Sequence, residues 1–179
     1  ETTFPLFTLT FALFVLGLAE LLSVDSILAV FAAGIAYNLG ITDDERRPQH
    51  HIEEGVDRVL LLPVFTLFGV ALPWNEWSLL GWSSLAFVAA VLLLRRIPII
   101  LAIRRPLRLS RGDAVWLGWF GPIGIAALYY LTYVAEKGVP DTTIWAAGSM
   151  VIAASTLAHG MTTLPGRRAY TKLTHDEAA

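Results

Sequence analysis

Six stretches of the chain carry no aspartate, glutamate, lysine or arginine, and they constrain the fold more than any other feature of the sequence. They cover residues 2–19, 26–42, 59–75, 77–94, 114–135 and 142–166. The hydrocarbon core of a bilayer needs roughly 20 mostly apolar residues per crossing helix, so each stretch can span a membrane or nearly so. The stretches lack the apolar–polar alternation of strands, which favours helices.

The composition agrees with a membrane protein. Hydrophobic residues make up 55% of the chain and charged residues 16%, whereas soluble proteins average about 45–50% apolar and about 25% charged residues. The formal net charge is −2, and without a basic patch nothing indicates a nucleic-acid partner. The absence of cysteine excludes a disulfide scaffold and thiolate metal sites.

We therefore predict an all-α, polytopic membrane protein with about six transmembrane helices. The predicted helices cover residues 4–22, 24–40, 56–74, 79–103, 113–135 and 142–164. Positive charge concentrates in the loop 104–112 (RRPLRLSRG) and in the tail 166–179. Because cytoplasmic loops carry an excess of lysine and arginine, we expect both segments, and so the C-terminus, on the cytoplasmic side of the cell membrane.

Arg95 and Arg96 lie inside an otherwise apolar predicted helix. A charge in hydrocarbon costs on the order of 2.5–3.5 kcal/mol on insertion scales, so such a residue usually faces the bundle interior and finds a partner. Consecutive helical residues point about 100° apart, and we expect one of the two arginines to form an interior ion pair beside a kink at Pro98. The alternative is that the arginines reach the cytoplasmic headgroups.

The segment GWFGPIG places Gly118, Gly121, Pro122 and Gly124 inside one predicted helix. Proline removes a backbone donor and clashes with the preceding turn, and glycine lets the chain leave helical geometry. We expect the helix to break near the middle of the bilayer, where half-helix ends and unwound backbone can form an ion site. The alternative is close packing through small residues with a simple proline kink.

Other polar residues give weaker signals. Glu20 and Asp25 flank the first connection between helices, where we expect them at the membrane interface, with Asp25 also able to cap the second helix. We expect His159 to be a packed or interfacial histidine rather than a ligand. His50 and His51 are adjacent in a polar loop and do not share a helical face, so no metal site is predicted there.

Motifs of soluble or embedded enzymes are absent from the sequence. It contains no glycine-rich phosphate loop, no HExxH and no convincing group of a nucleophile with its base. We therefore predict that the protein is not an enzyme and needs no cofactor or metal.

Five segments of the chain resemble, in order, segments of monovalent cation:proton antiporters, the sodium/proton exchanger family. They are LAVFAAGIAYN (28–38, preceded by GLAELL), FTLFGVALPW (65–74), LLLRRIP (92–98), GWFGPIGIAALYY (118–130) and STLAHGMTTLP (155–165). Each segment is modest alone, but their order is specific. The chain is most similar to a subgroup of bacterial and fungal alkali-cation/proton antiporters with RRxP and GPIG; many other members have arginine in place of Ile123.

The resemblance implies that this chain is the second of two inverted repeats. Residues 1–78 would belong to a scaffold domain that forms a homodimer, residues 79–165 to an ion-carrying core with the broken helix 113–135, and residues 166–179 to a cytoplasmic tail. The ion-binding aspartate of the family lies in the first repeat, and no residue of this chain can be assigned its role. The embedded arginine, Arg95 or Arg96, would pair with an acid of that repeat.

From this resemblance we expect the whole protein to exchange Na⁺ or K⁺ for H⁺ across the membrane, with the ions competing for one carboxylate. The chain begins almost inside an apolar segment and without methionine, which indicates a fragment of something longer. The competing hypothesis is a non-transporting membrane scaffold or a channel subunit, neither of which needs the break at GPIG.

Overall fold

The computed structural model describes residues 3–40, 59–138 and 142–176, and over these residues it contains helices and turns but no strand. The helices are α1 (Thr3–Leu21), α2 (Ser26–Gly40), α3 (Val59–Val70), α4 (Trp74–Leu79), α5 (Gly81–Leu94), α6 (Ile97–Ile103), α7 (Arg111–Trp119), α8 (Ile125–Glu136) and α9 (Thr142–Asp176). The all-α prediction is confirmed for this part of the chain. The chain forms two compact units, Glu1–Val70 and Ala71–Ala179.

In the first unit, α1 and α2 form an antiparallel pair. The hydroxyl groups of Thr8, near the start of α1, and Tyr37, near the end of α2, lie 3.0 Å apart. At the connection, Asp25 Oδ1 accepts a hydrogen bond at 2.8 Å from a backbone N–H in the first turn of α2, so Asp25 caps this helix as predicted. The Ser26 hydroxyl donates to Glu20 Oε1 at 2.7 Å, which joins the two helix ends.

The helix predicted over 56–74 ends earlier in the structure. Within the described residues, α3 covers Val59–Val70, and the short α4 begins at Trp74 with Pro73 as its N-terminal flanking residue. Proline has no N–H to donate to the preceding turn, so the helix does not run through it. The polar loop with His50 and His51 lies outside the described residues.

The helix predicted over 79–103 is interrupted at the arginine pair. α5 ends at Leu94 and α6 begins at Ile97, and Arg96 has φ −127° and ψ −40°. Pro98 occupies the first turn of α6, where its missing N–H costs nothing within α6 but its ring prevents a continuous helix with α5. The predicted kink is therefore present, and it falls directly on the two charged residues.

The helix predicted over 113–135 is also broken. α7 ends at Trp119 and α8 begins at Ile125. Residues 120–124, which we call the break segment, follow no helical geometry. α7 itself begins with a capping box, in which the Ser110 hydroxyl accepts from Asp113 N and the Asp113 carboxylate accepts from Ser110 N.

The last helix is longer than predicted. We expected it to end at 164 and to be followed by a tail, whereas α9 continues through Pro165 to Asp176. One proline costs a single intrahelical hydrogen bond, and the arginines and alanine that follow are good helix formers. The Tyr170 hydroxyl also donates to Asp113 Oδ1 at 2.6 Å, which anchors the extension of α9 to the start of α7.

Two helical segments, Gly81–Ile103 and Thr142–Arg168, are long and apolar enough to cross a membrane on their own. Shorter apolar helices cover Leu6–Leu21, Ser26–Gly40 and Val59–Val70, so the count of six spans stays a prediction. Large apolar side chains are exposed along both units, among them Phe14 and Phe31, each 64% exposed. Soluble monomers rarely expose extended apolar surfaces, and a bilayer would cover these.

In the second unit, glycines permit close approach between helices. A Cβ added at Gly118 of α7 would lie 2.9 Å from Ile97 Cα of α6. A Cβ at Gly148 of α9 would lie 2.6 Å from Leu131 Cδ1 of α8. The first of these contacts involves backbone, which cannot move aside as a side-chain end can.

We predict that Gly118→Ala destabilises the complete natural protein by about 1–3 kcal/mol, because the methyl group overpacks the contact between α6 and α7. Gly160→Ala is the matched control, since a Cβ there meets nothing within 4 Å and alanine favours helix. Thermal unfolding in detergent measures both variants. Equal midpoint temperatures of unfolding for the two variants would contradict the close contact between Gly118 and Ile97.

Candidate functional site

Both arginines of the interrupted helix reach the break segment. Arg95 Nη2 donates a hydrogen bond to the carbonyl oxygen of Gly121. The Arg96 guanidinium lies against the same residue, because a Cβ added at Gly121 would be 1.9 Å from Arg96 Nη1. Residue 121 thus needs to be glycine for Arg96 to keep this position. Adjacent residues of a regular helix point apart, and the irregular backbone at Arg96 is what lets both side chains converge.

Ser155 of α9 binds the break segment, and His159 of the same helix contacts the last residue of α7. Ile123 N donates to Ser155 Oγ at 2.9 Å, and His159 Nε2 lies 2.7 Å from the carbonyl oxygen of Trp119. Ser155 is 0% and His159 6% exposed. Because a buried backbone group without a partner costs about 1–3 kcal/mol, Ser155 stabilises the non-helical backbone and His159 stabilises the end of α7.

His159 has polar contacts at both ring nitrogens. Its Nδ1 lies 2.7 Å from the carbonyl oxygen of Ser155 and 3.2 Å from Ser155 Oγ. The Trp119 ring stacks on the imidazole at 4.9 Å between centroids, and Trp119 Nε1 donates to Thr162 Oγ1 at 2.9 Å. His159 is thus the packed histidine that the sequence predicted. We did not predict from the sequence that His159 contacts the end of α7. The sequence does show that Ser155, His159 and Thr162 have the spacing of residues on one helical face.

The two half-helix ends carry opposite partial charges. α7 ends with carbonyl groups that lack helical partners, and α8 begins with N–H groups that lack them. These ends carry partial negative and partial positive charge, respectively. Arg95 donates to the carbonyl oxygen of Gly121, two residues beyond the end of α7, so a positive charge lies near the partially negative end of that helix.

The structure brings together part of the predicted set of site residues. Arg95, Arg96 and Gly121 are in direct contact. Gly118 instead contacts Ile97, and a Cβ at Gly124 would meet nothing within 4 Å. Pro122 lies exposed between Gly121 and Ile123. In the described ranges, no group of three or more histidine, aspartate or glutamate residues could bind a metal ion.

We predict that Ser155→Ala lowers the free energy of unfolding by about 1–3 kcal/mol, because Ile123 N loses its buried acceptor. Thr156→Ala is the neighbouring control. Thr156 is exposed and its hydroxyl donates only to the Ile152 carbonyl of its own helix, at 2.9 Å, so a change within about 0.5 kcal/mol is expected. Denaturation of the complete natural protein in detergent gives the free energy of unfolding of both variants. An unchanged free energy of unfolding in Ser155→Ala would contradict the proposal that Ser155 stabilises the break segment.

Known proteins provide an independent comparison. The sequence model of the family described as sodium/hydrogen exchanger, transmembrane, matches residues 1–165. A Na(+)/H(+) antiporter of Schizosaccharomyces pombe is 28% identical over 80% of this chain and 36% of its own length. A probable Na(+)/H(+) antiporter of the same yeast is 30% identical over 71% of this chain and 18% of its own length.

A Na(+)/H(+) antiporter of Saccharomyces cerevisiae is 28% identical over 71% of this chain and 14% of its own length. The chain therefore spans about a third or less of these curated relatives. No solved structure matches the chain. Because the family match covers residues 1–165 of the 179, the chain belongs to the transmembrane sodium/hydrogen exchanger family.

Proposed function

We propose that the complete natural protein exchanges Na⁺ or K⁺ for H⁺ across a membrane and that this chain supplies the second inverted repeat of the transporter. The family and the printed names of the yeast relatives support exchange as the activity. The observation that carries the proposal is the break segment itself, which is bound by Arg95 and by Ser155 of α9. A simple membrane scaffold has no need for such a segment.

The substrate ions would bind at a carboxylate outside this chain. Among the described residues, no aspartate or glutamate forms a hydrogen bond with the break segment or pairs with Arg95 or Arg96. An embedded arginine usually pairs with an acid or with backbone carbonyls, and here one carbonyl partner is present. We infer that an acid of the first repeat completes the environment of the pair.

The mechanism follows from competition for that carboxylate. Between the departure of the cation and the binding of the proton, the carboxylate carries an unneutralised negative charge, so each exchange alters the field at the break segment. The two half-helix ends already carry partial charges. They interact with the changed field at the break segment, so no further charged group has to enter the membrane. The arginines would stabilise the core while it moves between its inward-open and outward-open states.

The arrangement of the chain in the membrane follows the same hypothesis. Residues 1–78 would form scaffold helices that mediate a homodimer, and residues 79–165 would form the moving core. The basic loop 104–112 and residues 166–179 would lie on the cytoplasmic side of the cell membrane, in accord with the distribution of positive charge.

We predict that Arg95→Ala or Arg96→Ala reduces cation-driven proton movement by at least about tenfold, the effect of about 1.4 kcal/mol on the barrier. The complete natural protein would be reconstituted in vesicles that contain a pH-sensitive dye, with Na⁺ or K⁺ gradients applied across a broad pH range. Arg105→Ala, in the exposed loop, is the control that removes one positive charge and should leave the rate unchanged.

The outcomes separate the hypotheses. Loss of exchange in one or both arginine variants, with normal exchange in Arg105→Ala, supports antiport and identifies the arginine that acts. A folded wild-type protein that moves no protons in response to either cation would overturn the antiporter proposal and favour a scaffold or channel subunit.

A further inference from the structure

A groove between α7 and α9 lies at the end of the second unit where the basic residues gather. Its volume is about 590 Å³, within the range of about 300–1,000 Å³ that is typical of small-molecule sites. Val115, Trp116, Phe120, Gly166 and Tyr170 line it. These are almost entirely apolar surfaces, so the occupant of the groove must itself be apolar over most of its length.

Aromatic rings form the walls of this α7–α9 groove. The Trp116 ring lies 4.0 Å from Phe120 and 5.0 Å from Tyr170, measured between centroids. A Cβ added at Gly166 would lie 2.9 Å from both Phe120 Cζ and Trp116 Cζ3, so glycine lets α9 approach these rings. The Tyr170 hydroxyl is engaged by Asp113. The walls are thus fixed by packing and by a hydrogen bond.

Basic residues lie at or next to the lining residues at one end of the groove. Arg111 lines it and is exposed, and Arg167 and Arg168 follow the lining residue Gly166 directly. The apolar span of α9 ends at Arg168. The groove therefore extends from the level of the hydrocarbon to the level of the headgroups, where basic residues attract anionic lipids.

We propose that the α7–α9 groove binds one anionic phospholipid, with an acyl chain along Trp116 and Phe120 and the headgroup phosphate at Arg111. A guanidinium group binds phosphate oxygens through paired hydrogen bonds. The hydrocarbon of the bilayer is as apolar as the groove, so the acyl chain gains only van der Waals packing there. The preference for an anionic lipid consequently comes from the arginines and not from the groove walls.

The headgroup contact and the space for the acyl chain can therefore be altered in separate variants. Arg111→Gln removes the headgroup contact and leaves the groove open, with Arg104→Gln as the control at an arginine that does not line it. Val115→Trp fills the groove and leaves the charge intact. Leu117→Trp is its control, because it adds the same side chain two residues further along α7. Leu117 is 41% exposed and does not line the groove.

The experiment uses the complete natural protein, purified in detergent and incubated with phosphatidylglycerol or phosphatidylcholine. Native mass spectrometry counts the lipids retained, and thermal unfolding confirms that each variant is folded. We expect preferential retention of one phosphatidylglycerol, reduced about fivefold by Arg111→Gln, the effect of one basic residue at a membrane surface. Val115→Trp should abolish retention of this lipid, and both controls should keep it.

Three outcomes would overturn the proposal. The first is equal retention of the two lipids by the wild-type protein. The second is unchanged phosphatidylglycerol retention in Val115→Trp, which would place the lipid elsewhere. The third is a crosslink from a photoreactive group at residue 115 to another segment of the protein, which would show that a helix fills the groove. None of these readouts depends on ion exchange, so the proposed transport function is tested separately.

Discussion

The second unit depends on one requirement: the backbone of residues 120–124 has left helical geometry, and its buried polar groups need partners. In the hydrocarbon of a membrane, non-helical backbone persists only where protein or a cavity surrounds it. The structure supplies two side-chain partners for this segment: Arg95 donates to Gly121, and Ser155 accepts from Ile123. His159 contacts Trp119 at the adjoining end of α7.

These partners come from one interrupted element and one continuous helix. The interruption between α5 and α6 turns two adjacent arginines toward one glycine. α9 is continuous, and its helical repeat places Ser155 and His159 one turn apart on the same face. α9 and the two arginine side chains thus contact the break segment together.

Much of this arrangement could be predicted from the sequence. Charge-free stretches gave the helical class, Pro98 and the GPIG segment located the two interruptions, and Asp25 was identified as a cap. Local chemistry decides these features, so the residues themselves reveal them. The predicted end of the last helix at 164 was wrong, because α9 continues to Asp176 and the contact of Tyr170 with Asp113 anchors the added turns.

Long-range contacts could not be predicted in this way. Helical periodicity places Ser155 and His159 on one face, but it does not say which element that face contacts. The convergence of both arginines was missed for a related reason, since a regular helix would have separated them. The roles proposed for Arg95, Arg96 and the break segment, and the acid that completes the site, stay predictions until the complete natural protein is tested.

The most direct test of the account is the exchange rate of Gly121→Ala beside that of Gly124→Ala. A Cβ at Gly121 would displace Arg96, whereas a Cβ at Gly124 meets nothing within 4 Å. Both variants would be reconstituted in vesicles as the complete natural protein, with thermal unfolding measured in parallel. The account predicts that Gly121→Ala loses exchange while it stays folded and that Gly124→Ala retains it. Exchange at the wild-type rate in Gly121→Ala would contradict the claim that contact between the arginines and the break segment is required for transport.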